Sequence, residues 1–317
     1  MSSIPFTTIP GLLIDRLVLA LESLTDGELA VDMLVASGER AIAPLEELLL
    51  QGKARTIAVP RCRAVRALGG LQARETLLAY FEKCDLPADP VVLFAEDAVR
   101  SAVAHELMRW REDEVFQALL RAARQRATVG LVESLGEFCS PEAIPLLFET
   151  LEDDLCRHAA YAALCRTPAE TRCYAILSLQ GRTGANLMGP AASRRRRATA
   201  ELFRNLGISR GEWQDVSRLL KEEDPTVVIG VAAVGFRVAP QEEFPDIIHA
   251  LFRIGNKVNW LQEDDVIRLL DQHKPLARSM AKQVLADLRV HGQHVNWLSP
   301  TWRILWHLEQ IEASADR

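Results

Sequence analysis

The sequence predicts an all-helical protein built from repeated helix pairs, and three observations support this prediction. A twelve-residue pattern recurs at least seven times, with steps mostly near thirty residues, which is typical of a solenoid. The apolar positions within each copy fall at helical spacing. The chain is 49% hydrophobic but only 6% aromatic, so we expect a core of Ala, Leu and Val.

Each copy of the pattern predicts one amphipathic helix. The seven copies start at Asp97, Asp154, Asp224, Ala58, Gln125, Ala192 and Pro275. A further helix is predicted before most copies, as at 41–50, 141–152 and 244–254. Acidic residues such as Asp154 and Asp224 stand between the two helices, where they are placed to cap the second one.

The copies at Asp97 and Asp154 match the pattern Asp-x-Val-Arg-x-x-Ala-Ala-x-Ala-Leu-Gly, which resembles the HEAT-repeat family and in particular its bilin-lyase-like subgroup. The resemblance covers roughly residues 25–290. It implies a right-handed α-α superhelix, a HEAT-type solenoid of about eight helix pairs. It also implies a ladder of Asp and Arg side chains between neighbouring repeats. The matching positions are Asp97, Asp154 and Asp224 with Arg61, Arg100, Arg157, Arg195 and Arg278.

The spacing of the copies predicts four regions. A glycine-containing loop at 181–192 is expected between N-terminal repeats at 1–180 and C-terminal repeats at 193–290. The step of 51 residues from Asp224 to Pro275 leaves room for one extra helix around 263–272. Residues 291–317 form a Trp-rich segment, which we expect to cap the C-terminal end.

One face of the second helix in each pair is predicted to remain free. Positions are counted as the number of residues after the first residue of a copy, so that Arg63 holds position 5 of the copy at Ala58. At about 100° per residue, positions 1, 4, 5, 8 and 12 share one arc, opposite the packed Ala and Leu positions. In HEAT solenoids these helices line the concave surface, so the resemblance implies a partner-binding groove along this arc. Its charged residues are Arg63, Arg66, His105, Arg109, Arg126, Glu133, Glu137, His158, Arg166, Arg196, Arg197 and Arg204.

The copy at Asp224 differs, because the corresponding arc is apolar. Two interpretations stay open for this arc. Either the extra helix buries it, or Val228, Ile229 and Phe236 form an exposed apolar patch beside the groove. An exposed apolar patch with a charged rim is typical of a protein-binding site.

No group of residues in the sequence identifies a reaction. His105-Glu106 is similar to the His-Glu pairs of the iron-binding HEAT hydroxylase, but it occurs once, and its side chains diverge by about 100° on a helix. His291-x-x-His294 with His307 is the other candidate ligand group, although Gly292 favours a turn there. We therefore predict no catalytic residue, no metal and no cofactor, and leave enzyme activity open with a preference against it.

The resulting hypothesis is a non-enzymatic scaffold or adaptor whose arginines bind an acidic segment of another protein in the groove. Arginines that only keep the surface solvated are the simpler alternative. The resemblance also allows a HEAT-type enzyme or lyase-like factor, of the DNA-glycosylase-like or bilin-lyase-like kind. The net charge of −6 argues against binding nucleic acid or an anionic membrane.

Cysteine usage and the N-terminal sequence predict a cytoplasmic protein. The six cysteines form no Cys-x-x-Cys pair, so we expect reduced, structural thiols. Neither a signal peptide nor a membrane-spanning apolar run is recognisable. The excess of 31 Arg over 6 Lys suggests a bacterial source.

Overall fold

The computed structural model describes residues 11–51, 57–83, 85–179, 189–290 and 299–315. Within these ranges the chain forms eighteen α-helices and no β-strand. The prediction of an all-α fold is therefore confirmed. The chain divides into two compact units, Met1–Thr167 (unit 1) and Pro168–Arg317 (unit 2).

Unit 1 contains ten α-helices in its described part. They are α1 (Gly11–Ala20), α2 (Gly27–Ala36), α3 (Ile42–Gln51), α4 (Ala58–Gly70), α5 (Arg74–Lys83), α6 (Pro90–Leu107), α7 (Asp113–Gln125), α8 (Val129–Glu137), α9 (Ile144–Thr150) and α10 (Arg157–Leu164). Helices α2, α4, α6, α8 and α10 contact one another in series and form the even row. Helices α1, α3, α5 and α7 do the same on the other side. Each even-numbered helix also packs on the helix before it.

The helices of the even row in unit 1 run in the same direction. Ser101 of α6 hydrogen-bonds Thr128, just before α8, at 3.0 Å between hydroxyl oxygens. One turn later, His105 of α6 meets Glu133 of α8. The other neighbours in the row show the same order along the chain. The N-terminal ends of these helices therefore point the same way, and α6 extends about 16 Å beyond the start of α8.

Unit 2 contains eight α-helices in its described part. They are α11 (Pro168–Leu179), α12 (Gly189–Leu206), α13 (Arg210–Val216), α14 (Pro225–Val238), α15 (Phe244–Ile254), α16 (Trp260–Gln272), α17 (Lys274–Val290) and α18 (Pro300–Ala315). Helices α12, α14, α16 and α18 contact in series. The other row contains α11, α13 with its 3-10 extension Ser217–Lys221, α15 and α17.

The two units meet in sequence between Thr167 and Pro168, and the loop expected at 181–192 stays a prediction. Helix α11 contacts α12 and α13, so it belongs with unit 2. Residues 181–188 lie outside the described ranges. The expected C-terminal cap is described only from residue 299 onward, where α18 packs on α16 and α17. Trp297 lies outside the described part.

The extra helix expected around 263–272 is present as α16, which confirms that prediction. Helix α16 also changes the row to which the next helix belongs. Because α16 occupies the row of α12 and α14, the helix of the copy at Pro275, α17, joins α15 in the opposite row. The expectation that this copy forms the second helix of a pair is therefore wrong.

The packing positions of the pattern are buried as expected. In the copy at Asp97, Val99, Val103 and Leu107 have no exposed surface, and in the copy at Asp154 the same holds for Ala160 and Leu164. Small side chains at these positions let neighbouring helices approach closely. The periodicity of the sequence therefore identified the core side of these helices.

The ladder implied by the HEAT resemblance takes a different form. The guanidinium of Arg61 donates to the main-chain oxygen of Leu49 at 3.0 Å and pairs at 2.7 Å with Glu96 rather than Asp97. Arg100 donates to the main-chain oxygen of Ala122 at 2.8 Å. These buried arginines mainly satisfy carbonyls at helix ends, which have no partner within their own helix.

The aspartates of the expected ladder also have other partners. Asp97 accepts two hydrogen bonds from Arg126, both at 2.6 Å. Asp154 pairs with Arg157 of its own copy. Asp224 caps α14, as predicted, by accepting from the main-chain nitrogen of Thr226 at 3.0 Å. Arg61, Arg100, Asp97 and Asp224 therefore have structural roles, but they do not pair with one another as the resemblance implies.

Candidate binding groove

Three neighbouring helices of the even row, α6, α8 and α10, share a groove of about 370 Å³. His105 of α6, Glu133 and Glu137 of α8, and His158 and Arg166 at α10 line it. All five side chains were predicted to lie on the free arc of these helices, and the structure brings them together. Among the cavities of the described chain, this groove is lined by five of the residues predicted as site residues.

The floor of the groove consists of small side chains. Ala159 and Ala163 are buried beneath it, and Ala162 is exposed at its surface. The buried hydroxyl of Ser134 also lines the groove and has no hydrogen-bond partner among the described residues. The small side chains of the floor would therefore let a bound segment approach the helices closely.

The charges of the groove are paired with one another. Nε2 of His105 lies 3.1 Å from the carboxylate of Glu133. Arg166 pairs with Glu137, whose other side meets Arg111 at 3.4 Å. All of these side chains are about half exposed, so water screens the pairs. The groove is therefore a surface of mixed charge, not the basic surface that the sequence predicted.

Two further predicted residues of unit 1 are exposed but lie outside the groove. Arg66 on α4 pairs with Glu28 of α2 at 2.8 Å. Arg109, directly after α6, pairs with Glu106 at 2.7 Å. Both arginines extend the exposed face of the even row, and both already have a carboxylate partner.

Arg63 and Arg126 are corrections to the predicted groove. Arg63 is only 9% exposed, and its guanidinium donates at 2.7 Å to the main-chain oxygens of Leu21 and Ser23. Arg126 lies at the end of α7, where Asp97 holds it in a bidentate pair. Both side chains hold the fold together, and neither lines the groove.

Position 5 of the repeat explains the correction at Arg63. Arg63, Gly130, Ala159 and Ile229 hold this position in four copies and are buried, whereas Arg197 holds it on α12 and is exposed. In these four copies the position packs between adjacent helices of a row and does not belong to the free arc. The exposed predicted residues of unit 1 hold positions 4, 8 and 12.

The remaining predicted arginines, on α12, belong to unit 2 and also have carboxylate partners. The three pairs are Arg196–Glu222 at 3.9 Å, Arg197–Asp224 at 2.5 Å and Arg204–Asp265 at 3.7 Å. Since Asp224 also caps α14, the pair with Arg197 contributes to the fold of unit 2.

The predicted apolar patch is buried, which decides between the two interpretations of that arc. Val228 and Ile229 of α14 are less than 5% exposed and Phe236 is 9% exposed. Helix α16 packs against α14, and His273 at its C-terminal end stacks on Phe236 with ring centroids 4.2 Å apart. A helix that is apolar on all sides is expected to be covered.

Unit 2 has a cleft of about 590 Å³ that the sequence analysis missed. It lies between the 3-10 segment Ser217–Lys221 and α15, with Arg218 and Lys221 on one side and Asp246 and His249 on the other. The prediction considered only the second helix of each pair, whereas this cleft lies in the opposite row. The three-residue spacing of Arg218 and Lys221, which aligns side chains in a 3-10 turn, was the available signal.

In the described ranges no group of three or more His, Cys, Asp or Glu side chains is arranged to hold a metal ion. His307 instead pairs with Asp271 at 3.2 Å, while His291 and His294 lie outside those ranges. Burial raises the pKa of the Cys156 thiol to about 11, so it is protonated at neutral pH and not activated as a nucleophile.

Comparison with protein-family models finds no match for the chain, and comparison with curated proteins also finds none. Among the described helices, none has the length and apolar character needed to cross a membrane. The class defined by the structure is an all-α protein with helices in contacting rows, and the HEAT resemblance stays a prediction.

Proposed function

We propose that the chain is a HEAT-type α-α solenoid that acts as a non-enzymatic scaffold and binds a segment of another protein along α6, α8 and α10. The supporting observation is the groove shared by these parallel helices. Its floor of small side chains allows close approach, and its polar walls offer hydrogen-bonding groups. Grooves between helices commonly bind extended or helical peptide segments.

The exposure of the groove supports binding over catalysis. Electrostatic catalysis depends on a site that excludes water around preorganised charges. His105, Glu133, Glu137 and Arg166 are instead about half exposed. Such groups contribute to recognition at the rim of an interface.

The carboxylates of the groove restrict the charge of its partner. An acidic segment, as expected from the sequence, would have to displace Glu137 from Arg166 and Glu133 from His105. Unit 1 also carries 17 basic and 25 acidic residues, a net charge of −8, which repels a strongly acidic chain. We therefore propose a segment that presents a single carboxylate to Arg166 and His158 rather than a long acidic run.

The test combines cross-linking with charge reversal in the full chain. A photo-reactive amino acid at position 162, in the groove, should capture a partner that the same group at position 121, on α7, does not. For that partner, Arg166→Glu with His158→Glu should weaken binding at least tenfold, equivalent to about 1.4 kcal/mol. The matched control is Arg121→Glu with Arg124→Glu, which reverses exposed charges in the opposite row.

An unchanged affinity for the groove variant, with folding verified by circular dichroism, would contradict the proposed role of the groove. So would an equal loss in the control variant, because that result would indicate a response to overall charge. Isothermal titration calorimetry measures both affinities.

A further inference from the structure

Exposed apolar side chains of unit 1 concentrate at one edge. Thirteen large apolar side chains are exposed in the described chain, and eight of them lie at or beside the N-terminal ends of the even row. They are Leu24, Leu29, Ile57, Val59, Val91, Phe94, Val129 and Leu155. Since the helices of this row are parallel, these ends point toward the same side of unit 1, with Phe94 about 10 Å before the level of Val129 along the helix axis. More than half of the exposed apolar side chains therefore lie toward one side of this unit.

Four of these side chains continue the exposed face that carries the groove. They are defined here as the apolar band: Val59, Phe94, Val129 and Leu155. Three of them stand close to a whole number of helical turns before an exposed polar residue of the same helix. The pairs are Val59 and Arg66, Phe94 and His105, and Val129 and Glu133, while Leu155 lies in the turn before α10, close in sequence to the exposed His158. The exposed face is therefore apolar near the N-terminal ends and polar toward the C-terminal ends.

The fold of unit 1 does not account for the apolar band. Phe94 is 79% exposed and Leu155 is 81% exposed, so neither side chain contributes appreciably to the core. Exposed apolar side chains gathered on one face with a polar rim typically mark an interaction site. Aromatic and aliphatic anchors of this kind provide most of the affinity in many interfaces.

The rim of the apolar band is acidic. Exposed carboxylates at the same edge belong to Asp26, Asp85, Asp89, Asp153 and Asp154. Capping accounts for the position of some of them, as Asp89 accepts from the main-chain nitrogen of Val91 at 2.8 Å. Capping does not remove their charge.

The described cations at this edge neutralise only part of the rim. Arg157 pairs with Asp154 of the rim and Arg126 pairs with Asp97, while the other four rim carboxylates stay exposed. Together with the net charge of −8 for unit 1, the rim favours a basic partner.

We infer that the apolar band is the docking site for a basic amphipathic helix of a partner protein. The inference rests on the proposed function as a scaffold and specifies the partner. Adjacent helices lie about 8–10 Å apart, so four helices span about 30 Å, the length of a helix of about 20 residues. The apolar face of the partner covers the band, and its Lys and Arg side chains meet the acidic rim.

The test uses two synthetic peptides of about 20 residues, labelled with fluorescein, and the full chain. Both carry Leu at helical i, i+3, i+4 and i+7 positions, and the other positions are Lys in one peptide and Glu in the other. Fluorescence anisotropy should show binding of the Lys peptide and at least tenfold weaker binding of the Glu peptide. Phe94→Ser with Leu155→Ser should weaken binding of the Lys peptide at least tenfold.

A matched control tests whether peptide binding requires the apolar band or any exposed apolar side chain. Leu19→Ser with Leu261→Ser removes two apolar side chains that are 68% and 58% exposed but lie outside the band. This variant should bind the Lys peptide like the unmodified chain. Circular dichroism of both variants verifies that the helices remain folded.

Four results would overturn the inference. They are equal binding of the two peptides, unchanged binding by the band variant, self-association that the band variant abolishes, and at least tenfold tighter peptide binding by a chain lacking residues 1–10. The third result would assign the band to a second copy of this chain, and the fourth to its own N-terminal segment. A groove variant without a change in net charge, Arg166→Gln with Glu137→Gln, should leave peptide binding unchanged, so failure of the band and failure of the groove are distinguishable.

Discussion

Unit 1 and unit 2 both place alternate helices in a contacting row, yet the corresponding helix faces have different surroundings. In unit 1 the face formed by α4, α6, α8 and α10 stays exposed and carries the groove and the apolar band. In unit 2 the same arc of α14 lies beneath α16. The repeat therefore determines which side of a helix packs on its neighbours. Residues outside the repeat, such as those of α16, determine whether the other side is exposed or buried.

Charge also distinguishes the two units. Unit 1 has a net charge of −8, whereas unit 2, with 20 basic and 18 acidic residues, has a net charge of +2. The overall value of −6 hides this contrast. Predictions about partners therefore need the charge of the unit that binds them.

Removal of the buried ion pair in unit 1 should have the largest effect on stability. Arg61 and Glu96 are each about 1% exposed, and Tyr80 also donates to Glu96. Glu96→Gln leaves the Arg61 charge buried without its partner, so the free energy of unfolding should fall by roughly 3–5 kcal/mol. Urea denaturation followed by circular dichroism measures this change.

The corresponding substitution in unit 2 provides the comparison. Glu263 of α16 pairs with Arg303 of α18 at 2.7 Å, but half of the Arg303 side chain is exposed. Glu263→Gln should cost about 1 kcal/mol or less, because water can solvate the arginine. Equal decreases in the free energy of unfolding for the two substitutions would contradict the expectation that burial makes the unit 1 pair more costly to break.

Replacing a glycine at a close contact between two helices should also destabilise unit 1 more than unit 2. A Cβ added at Gly130 would lie 2.8 Å from Cα and 2.9 Å from the main-chain oxygen of Ser101, whereas one added at Gly230 would lie 3.1 Å from the oxygen of Ala200. Overpacking costs roughly 1–3 kcal/mol, and replacing a helical glycine by alanine gains about 1 kcal/mol. Gly130→Ala should therefore destabilise unit 1, and Gly230→Ala should be nearly neutral. Hydrogen exchange in α6 and α12 measures the two effects locally.

The smallest expected effect is a pH dependence in unit 2. Burial between Phe236 and Phe244 lowers the pKa of His273 below its usual 6.5. Between the lowered pKa and 6.5 the unfolded chain binds more protons than the folded chain, so stability rises with pH through that window and falls on acidification below about pH 6.5. His273→Phe should remove this part of the pH dependence. Thermal melts of the two proteins at pH 5 and pH 7.5 measure it, and an unchanged difference between the two pH values would contradict the assignment to His273.

Much of the helical organisation could be predicted because it depends on neighbours three and four residues apart. That spacing located the helix at Glu263, the buried face around Ala160 and the cap at Asp224. It also placed His105, Glu133, His158 and Arg166 on exposed arcs. The acidic neighbours of those residues could not be predicted in the same way, because the pairs join different helices.

The sequence by itself determined the all-helical fold, the positions of most helices and the side of each helix that packs in the core, since periodicity within one helix contains that information. Only the tertiary structure decided that Arg63 is buried, that α16 covers α14 and that Glu137 neutralises Arg166. These outcomes depend on the register between neighbouring helices, and contacts between residues roughly thirty positions apart, such as Arg166 and Glu137, determine that register.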